Sequence, residues 1–503
     1  MAEEDIRRVK LEKVEALREL GRNPYPERFD RTHTLAEAAE LEPGVEGVRI
    51  AGRIVSRRAF GKLAFFDLQD LGGRCQASLQ VDVVGKDSFK EFTKLADIGD
   101  FVGVEGTTYH TKVGQLTVQA SSYEILGKTL RPLPEKYNAI SDPEIRYRRR
   151  YLDLIMDEES RERFRLRTRL VRTLRRLLDD RGFEEVETPV LQAKPSGAMA
   201  TPFRTHHNAL DIDLFLRIAP ETYLKRCVVA GFDRVYEFAR VFRNEGIAAS
   251  HLQDFTMLEY YAAYWNYIDN MNFTEDLIRR TIDECLGRLE ISTGEDGPTV
   301  DFGGEWPRRS LAELIEEHGG IDIEQHRDAD SLRAAMATRS IHLDGTDRLG
   351  WGALVDQLYK KVARPKLVQP TFVTSHPIEL SPLARANDHD AGRADRFQLV
   401  VRGWELLNAY SELVDPIDQR ERLEEQARLN AAGDDEAMVM DEDYLMAMEH
   451  GMPPISGWGM GIDRFAALVS GVENLRDVVL FPLMRPEGAS PVTEDSAPRE
   501  ESS

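Results

Sequence analysis

Two closely spaced prolines, Pro132 and Pro134, divide the 503-residue chain into stretches of different periodicity, and this division limits its possible folds most. Proline fixes φ and lacks an amide proton, so the pair stiffens the chain and forbids helix there. Before them come five short β-rich runs at 48–55, 63–68, 74–81, 101–108 and 115–125. Turn-like pieces such as Leu71-Gly72-Gly73 and Lys112-Val113-Gly114 separate several of these runs. Ahead of the runs, Ile6, Val9, Val14, Leu17 and Leu20 recur at helical spacing until Gly21 and Asn23-Pro24, which predicts an opening amphipathic helix. After the prolines, Phe164, Leu170, Val171, Leu174, Leu177 and Leu178 form a helical stripe that stops before Arg181-Gly182-Phe183. Strand and helix patterns then mix through Pro486, without internal repeats.

These patterns predict a helical extension over 1–44, a β-barrel over 45–130, a linker over 131–150, an α+β domain over 151–487 and a disordered tail over 488–503. Five short strands fit an OB-fold, a Greek-key barrel whose open face binds oligonucleotides. Periodicity does not separate it from other small barrels.

Composition narrows the function classes. Hydrophobic residues at 42%, charged residues at 31% and the lack of any bilayer-length apolar run indicate a soluble globular protein. The acidic start Met-Ala-Glu-Glu-Asp is unlike a secretory signal, so a cytoplasmic location is expected. Cys75, Cys227 and Cys285 are far apart and read as buried, inert thiols rather than a disulfide framework or zinc site. A net charge of −22 opposes indiscriminate nucleic-acid binding. One strip differs: from Arg146 to Arg176 twelve Arg face five Asp or Glu, a local +7 that leaves −29 for the rest. A solvated helix face with Arg–acid pairs is the favoured reading of that strip over a phosphate-binding one.

Three segments after the prolines carry chemistry. Arg181 to Pro189 reads as a helix end, an extended piece and a proline. Val235 to Gly246, followed by His251 and then Asp254 to Tyr261, places Arg and Glu on a loop between two β-rich runs, a strand–loop–strand hairpin. Arg offers a planar fork that can hold phosphate and carboxylate together. Gly457-Trp458-Gly459-Met460-Gly461-Ile462-Asp463-Arg464 sets three alternating glycines at the entry to a helix, a pattern suited to close approach of backbone or ligand. It is not a dinucleotide fingerprint, because the spacing differs and no βαβ unit follows.

In order and spacing these segments resemble motifs 1, 2 and 3 of class II aminoacyl-tRNA synthetases. Further matches are similar to the lysyl-tRNA synthetase family, a subclass IIb group: Tyr147 to Leu154, Thr205 to Asp211, Ile218 to Arg226 and Leu380 to Ala384. The resemblance runs from the N-terminal helix to Pro486. It implies an anticodon-reading OB-fold ahead of an antiparallel sheet flanked by helices, with motif 1 in a homodimer interface. It also implies ATP and lysine as substrates, tRNA(Lys) as acceptor, Mg2+ as cofactor and no membrane partner.

The same resemblance assigns roles. Arg243 would bridge the lysine carboxylate and the α-phosphate, and Arg464 would hold the γ-phosphate end. Phe255 would stack on adenine, Glu245 would accept from its amino group, and His251 would contact the phosphates. Glu405 would bind Mg2+. Glu221 and Glu259 would face the α-ammonium of lysine, and Glu412 and Tyr261 its ε-ammonium. Gly197 would offer backbone to the amino end, and Asn408 would hold the carboxylate. In the barrel, Phe65 and Arg57 would stack on or contact anticodon bases and Gln76 would hydrogen-bond them; Phe65 could equally be barrel core, its alternation partner Phe66 being the competing choice.

Several positions depart from the family pattern. Gln398 replaces a metal-binding Glu, Trp404 an Arg, and Trp458 a small aliphatic residue. Leu252-Gln253 replaces Asn-Pro, and Gln115 stands where Glu is frequent. An aspartate- or asparagine-type synthetase and a non-catalytic RNA-binding paralogue are the alternatives. Neither fits as well, since an aspartate pocket needs a cation where this chain has Glu412 and Tyr261, and the adenylation set is intact.

Overall fold

A computed structural model describes residues 3–134, 140, 142–246, 248–292, 297–343, 345, 349–431 and 438–488. The tail from 489 onward, expected to be disordered, lies outside the described residues, as do 135–139 and 141 of the expected linker. The chain forms two compact units that divide between Arg161 and Glu162. Short helices at Pro143–Arg148 and Arg150–Met156 already occupy the end of the region expected as linker.

The first unit is a closed five-stranded barrel. Its strands are β1 (Val48–Phe60), β2 (Leu63–Gln69), β3 (Arg74–Gln80), β4 (Phe101–His110) and β5 (Leu116–Gly127), in the order β1-β2-β3-β5-β4. Alternation fills its interior with Val48, Ile50, Ile54, Ala64, Phe66, Leu68 and Val104, and the helix Lys86–Leu95 adds Phe89, Phe92 and Leu95 to that core. The opening helix Glu3–Glu19 buries Lys10, Val14 and Leu17, while Val9 and Leu20 stay exposed. The expected stripe is therefore narrower than its apolar residues suggested, because Val9 lies about 140° around the helix from Val14.

The second unit is built on an eight-stranded sheet. Its strands are β6 (Glu184–Glu185), β7 (Arg234–Phe242), β8 (Asp254–Ala263), β9 (Arg308–Ser310), β10 (Thr371–Thr374), β11 (Arg396–Val401), β12 (Trp404–Ser411) and β13 (Ile455–Gly461). Their order is β9-β10-β11-β12-β13-β8-β7-β6, antiparallel except at the two edges. The sheet back carries the main core, with Leu258, Tyr260 and Trp458 packed against Leu170, Leu174, Leu277 and Ile278 of the helices Glu158–Asp180 and Tyr267–Leu286. Asn266 caps the second of these helices in a reciprocal capping box with Asp269. Tyr260 stacks on Trp458 with ring centroids 4.8 Å apart, so the large residue in the glycine run belongs to the core.

The arginine strip is largely paired. Arg165 and Arg169 meet Glu162, Arg167 meets Asp463, Arg175 meets Glu185 and Arg176 meets Asp180 and Glu284. Cys75 is buried and its thiol is pushed up to about 11 by desolvation, whereas Cys227 and Cys285, expected to be buried, are half-buried. No helix among the described residues is long and apolar enough to cross a membrane.

Candidate active site

A cavity of about 660 Å3 lies over one face of the sheet, and alternation on three adjacent strands decides what points into it. Strand β8 presents Phe255, Met257, Glu259 and Tyr261, and β12 presents Asn408 and Tyr410, with Glu412 two residues on. Between them, β13 puts Gly457, Gly459 and Gly461 on the same pleat. Gly459 is opposite both Glu259 and Asn408, and Gly457 opposite Tyr261 and Tyr410. The alternating glycines are therefore a bare strand face over which the neighbouring side chains lie. A Cβ on Gly457 would collide with the Glu412 carboxylate and the Tyr261 ring.

Glu405 reaches the cavity by a different route. Leu399 pairs with Leu407 and Val400 with Glu405, so Leu406 is an extra residue in β12. This bulge turns Glu405 onto the pleat of Asn408 and sends Trp404 to pack against the core. Gln398, directly opposite Asn408, is buried and does not line the cavity.

One end of the cavity is acidic. Glu221, at the first position of the helix Glu221–Val229, and Glu259 and Glu412 are all at least nine-tenths buried. The fully buried Lys225 ammonium, one turn along that helix, donates to Glu221 Oε1 at 2.6 Å and ion-pairs with Glu412. Tyr410 OH donates to the same Glu221 oxygen at 2.7 Å, and Tyr261 OH donates to Glu259 Oε2 at 3.2 Å. Burial, reinforced by Glu221, pushes Glu259 up to about 8, and burial likewise raises Glu412 well above the carboxylate range. The adjacent carboxylates hold Lys225 well above the ordinary lysine value despite its burial. Gly197 closes this end with φ +86°, and its Cβ would come within 2.9 Å of Glu221 Cβ.

The other end is cationic. Arg243 begins the loop after β7, its backbone N–H bonded to Gln253 O at 2.8 Å, with its guanidinium 5.3 Å from the Phe255 ring centroid. Gln253 Nε2 donates to Gly246 O at 3.3 Å, so this departure from Asn-Pro serves to tie the loop. Arg464 follows Asp463, whose carboxylate accepts from Thr256 N–H at 2.8 Å and from Arg167 at 2.7 Å. That anchor aims Arg464 into the cavity, where it donates to Glu405 O at 2.5 Å. His251 and Glu245 line the same end. Burial and the Arg464 charge push His251 below its usual value, which keeps it neutral near pH 7.

All twelve residues expected at the site in this unit thus face one cavity. Sequence reasoning missed Tyr410, Lys225, Arg396, Lys360 and Arg364. Tyr410 was available from alternation with Asn408 and Glu412, and Lys225 from its i,i+4 relation to Glu221. Arg396 Nε donates to Asn408 Oδ1 at 2.7 Å, which engages the amide oxygen and leaves the amide N–H2 as the group that can donate to a ligand. No local pattern pointed to Lys360 and Arg364, which enter from the helix Trp351–Val362 and the turn after it.

In the barrel, cross-strand partners share a face. Phe65 is opposite Arg58 and Ser78, and Asp67 is opposite Ser56 and Gln76. Gln76 is fixed, Nε2 donating to Asp67 at 3.3 Å and Oε1 accepting from Thr117 at 2.9 Å. Phe66 is barrel core, 4.8 Å from Phe92. Arg57 does not join Phe65: it is opposite Phe66 and donates to the Phe92 and Ala96 carbonyls. The bulge between Ile54 and Ser56 is the reason, since unbroken alternation from Ile50 and Ile54 would turn Arg57 outward.

Residues 142–485 match the tRNA synthetases class II (D, K and N), and residues 48–126 match the OB-fold nucleic acid binding domain. The chain is 47% identical to the lysine–tRNA ligase of Pelotomaculum thermopropionicum across 96% of its length and 95% of that protein. It is 46% identical to the lysine–tRNA ligases of Carboxydothermus hydrogenoformans (96% and 98% covered) and Gloeobacter violaceus (97% and 99% covered). The chain belongs to the class II tRNA synthetase family (D, K and N), alongside these lysine–tRNA ligases.

Proposed function

We propose that the protein is a lysine–tRNA ligase, which activates L-lysine with ATP and transfers it to the 3′ end of tRNA(Lys). The observation that carries this reading is the buried acidic pocket joined to an arginine-lined end in one cavity, since lysine brings two ammonium groups and ATP a polyphosphate. An aspartate pocket would need a free cation, and the Lys225 ammonium is already engaged by Glu221 and Glu412. A non-catalytic paralogue would have no need to keep Arg243, Glu245, Glu405 and Arg464 on one cavity.

In the first step a lysine carboxylate oxygen attacks the α-phosphorus, the bond to the β-phosphate oxygen breaks, and pyrophosphate leaves. The carboxylate is already ionised near neutral pH, so the step requires positioning and charge neutralisation rather than a general base. Arg243 bridges carboxylate and α-phosphate, Asn408 holds the carboxylate through its fixed amide, and Arg464 with His251 holds the distal phosphates. Phe255 stacks on adenine and Glu245 accepts from its amino group. The Glu405 carboxylate suits Mg2+, which takes one or two protein carboxylates plus substrate phosphates and supplies further charge neutralisation when bound. In the second step the terminal ribose hydroxyl attacks the adenylate carbonyl, AMP leaves, and the adenylate phosphate can take the proton.

Phe65, Gln76 and the neighbouring Arg58 read the anticodon by stacking and polar contact. A homodimer through the 181–189 segment is supported by Val190, Leu191, Leu210 and Ile212, apolar residues left exposed beside it. A cytoplasmic location completes the proposal. ATP–pyrophosphate exchange with each of the twenty amino acids, followed by charging of unfractionated tRNA, tests it. Lysine should support exchange and charging, and preference for another amino acid would overturn it.

Lysine binding should also release protons. Glu259, raised to about 8, is protonated in the free protein at neutral pH and must ionise to receive an ammonium. Apparent lysine affinity is therefore expected to rise with pH through the neutral range, by up to about tenfold per unit for each proton released. Calorimetry at pH 7 in buffers of different ionisation heat should register the release; binding heats independent of buffer would contradict it.

A further inference from the structure

Beneath the acidic end of the cavity lies one group that the adenylation scheme leaves without a task. Lys225 is fully buried, and its ammonium touches both Glu221 and Glu412, carboxylates contributed by different parts of the chain. The rings of Tyr261, Tyr410 and Tyr444 surround it at 5.7–5.9 Å. Apart from Lys225, the Glu412 carboxylate has no partner among the described residues, although it is buried and lines the cavity. Once all three carboxyls ionise to receive a cationic substrate, three carboxylates against one built-in ammonium leave two negative charges unanswered. Two is the number of ammonium groups on lysine.

We infer that Lys225 is a positioning residue for amino-acid selection: its ammonium holds Glu412 in place and sets the pocket's charge to match a doubly cationic amino acid. The inference rests on the lysine reading above and adds to it the way the charge is set. Without Lys225 the pocket carries one carboxylate too many, and burial holds on it a proton beyond those the native pocket already gives up to lysine. Lysine then has to displace that proton. With Lys225 present but Glu221 neutralised, the pocket falls one charge short instead. Geometry and charge balance together thus make Lys225 part of the specificity device although it lies beneath the substrate site.

Three variants of the full chain test this by ATP–pyrophosphate exchange: Lys225→Met, Glu221→Gln and the double variant. The lysine KM, the ATP KM and kcat are measured from about pH 6.5 to about pH 9. In Lys225→Met the lysine KM should rise about tenfold or more at neutral pH, while kcat and the ATP KM move by less than about threefold. The rise should shrink with increasing pH, as the surplus carboxyl ionises. The double variant, with the count restored, should have a lower lysine KM than Glu221→Gln alone. A structural role alone predicts that the second substitution makes matters worse, and that order would overturn the inference. An unchanged lysine KM in Lys225→Met, or a loss shared equally by kcat at every pH, would overturn it too. Should Lys225→Met fail to fold, the comparison of the double variant with Glu221→Gln carries the test unaided. A wild-type enzyme without lysine-dependent exchange would refute the proposed function instead.

Discussion

Replacing Arg243 with alanine is expected to lower lysine-dependent ATP–pyrophosphate exchange by about 10³-fold or more while leaving the fold intact. Its guanidinium is held by position, with the backbone N–H anchored on Gln253 and the Phe255 ring beneath it. Burial pushes its pKa down, yet arginine stays charged, and the carboxylates of Glu245, Glu259 and Glu405 support that charge. One preorganised donor at developing charge is commonly worth about 10²–10³ in rate, and Arg243 would bridge two anions that must approach each other. Without it the lysine carboxylate and α-phosphate repel, and three acidic groups lose a common cation. Arg243→Lys should recover only part of the loss, because a point charge cannot fork between two oxygens. Exchange within tenfold of wild type in the alanine variant, with unchanged thermal unfolding, would remove Arg243 from the reaction.

Much of this site is legible in the amino-acid sequence, for a reason visible in its strands. Phe255, Glu259 and Tyr261 alternate along β8, and Asn408 and Glu412 reach the same cavity from β12 and the residues after it. A strand written in the sequence fixes which of its residues share a face. Legibility failed where that period was broken. The bulge at Leu406 turns Glu405 into the cavity and packs Trp404 against the core, and the bulge after Ile54 swaps Arg57 for Arg58 on the Phe65 face. A bulge adds one residue to one strand and has no reliable composition, so it becomes apparent only through the pairing partner. Arg364 was hidden differently, since its approach depends on how a long excursion between β9 and β10 packs back over the cavity. The alternating glycines do enter a helix, as their pattern indicates, but they do so from a strand. They lie on a strand and leave its pleat bare, with the helix Ile462–Val469 starting only after the last of them.

That bare pleat supports a second large expected effect. Gly457→Ala adds a single methyl, but the site it would occupy is already filled by the Glu412 carboxylate and the edge of the Tyr261 ring. Neither neighbour can yield freely. Glu412 is tied to Lys225, and Tyr261 donates to Glu259 and is itself buried. The strand cannot withdraw either, because Asn270 Nδ2 on the helix behind it donates to Gly457 O at 3.0 Å and to Ser456 Oγ at 2.9 Å. Overpacking of this kind costs about 1–3 kcal/mol of stability, and displacing a buried charged partner of the ligand costs about 2–5 kcal/mol of binding. The variant should therefore lose about 10²-fold or more in kcat/KM for lysine, mainly through KM, and melt a few degrees lower. Gly459→Ala is the control for adding a methyl to this strand, since its Cβ would meet Glu259 Cγ at an ordinary 3.4 Å. Lysine binding measured without ATP should separate the two variants, strongly weakened in the first and little changed in the second. Equal lysine affinities would mean that Glu412 and Tyr261 can move aside at no cost, and the bare face of β13 would then need another explanation.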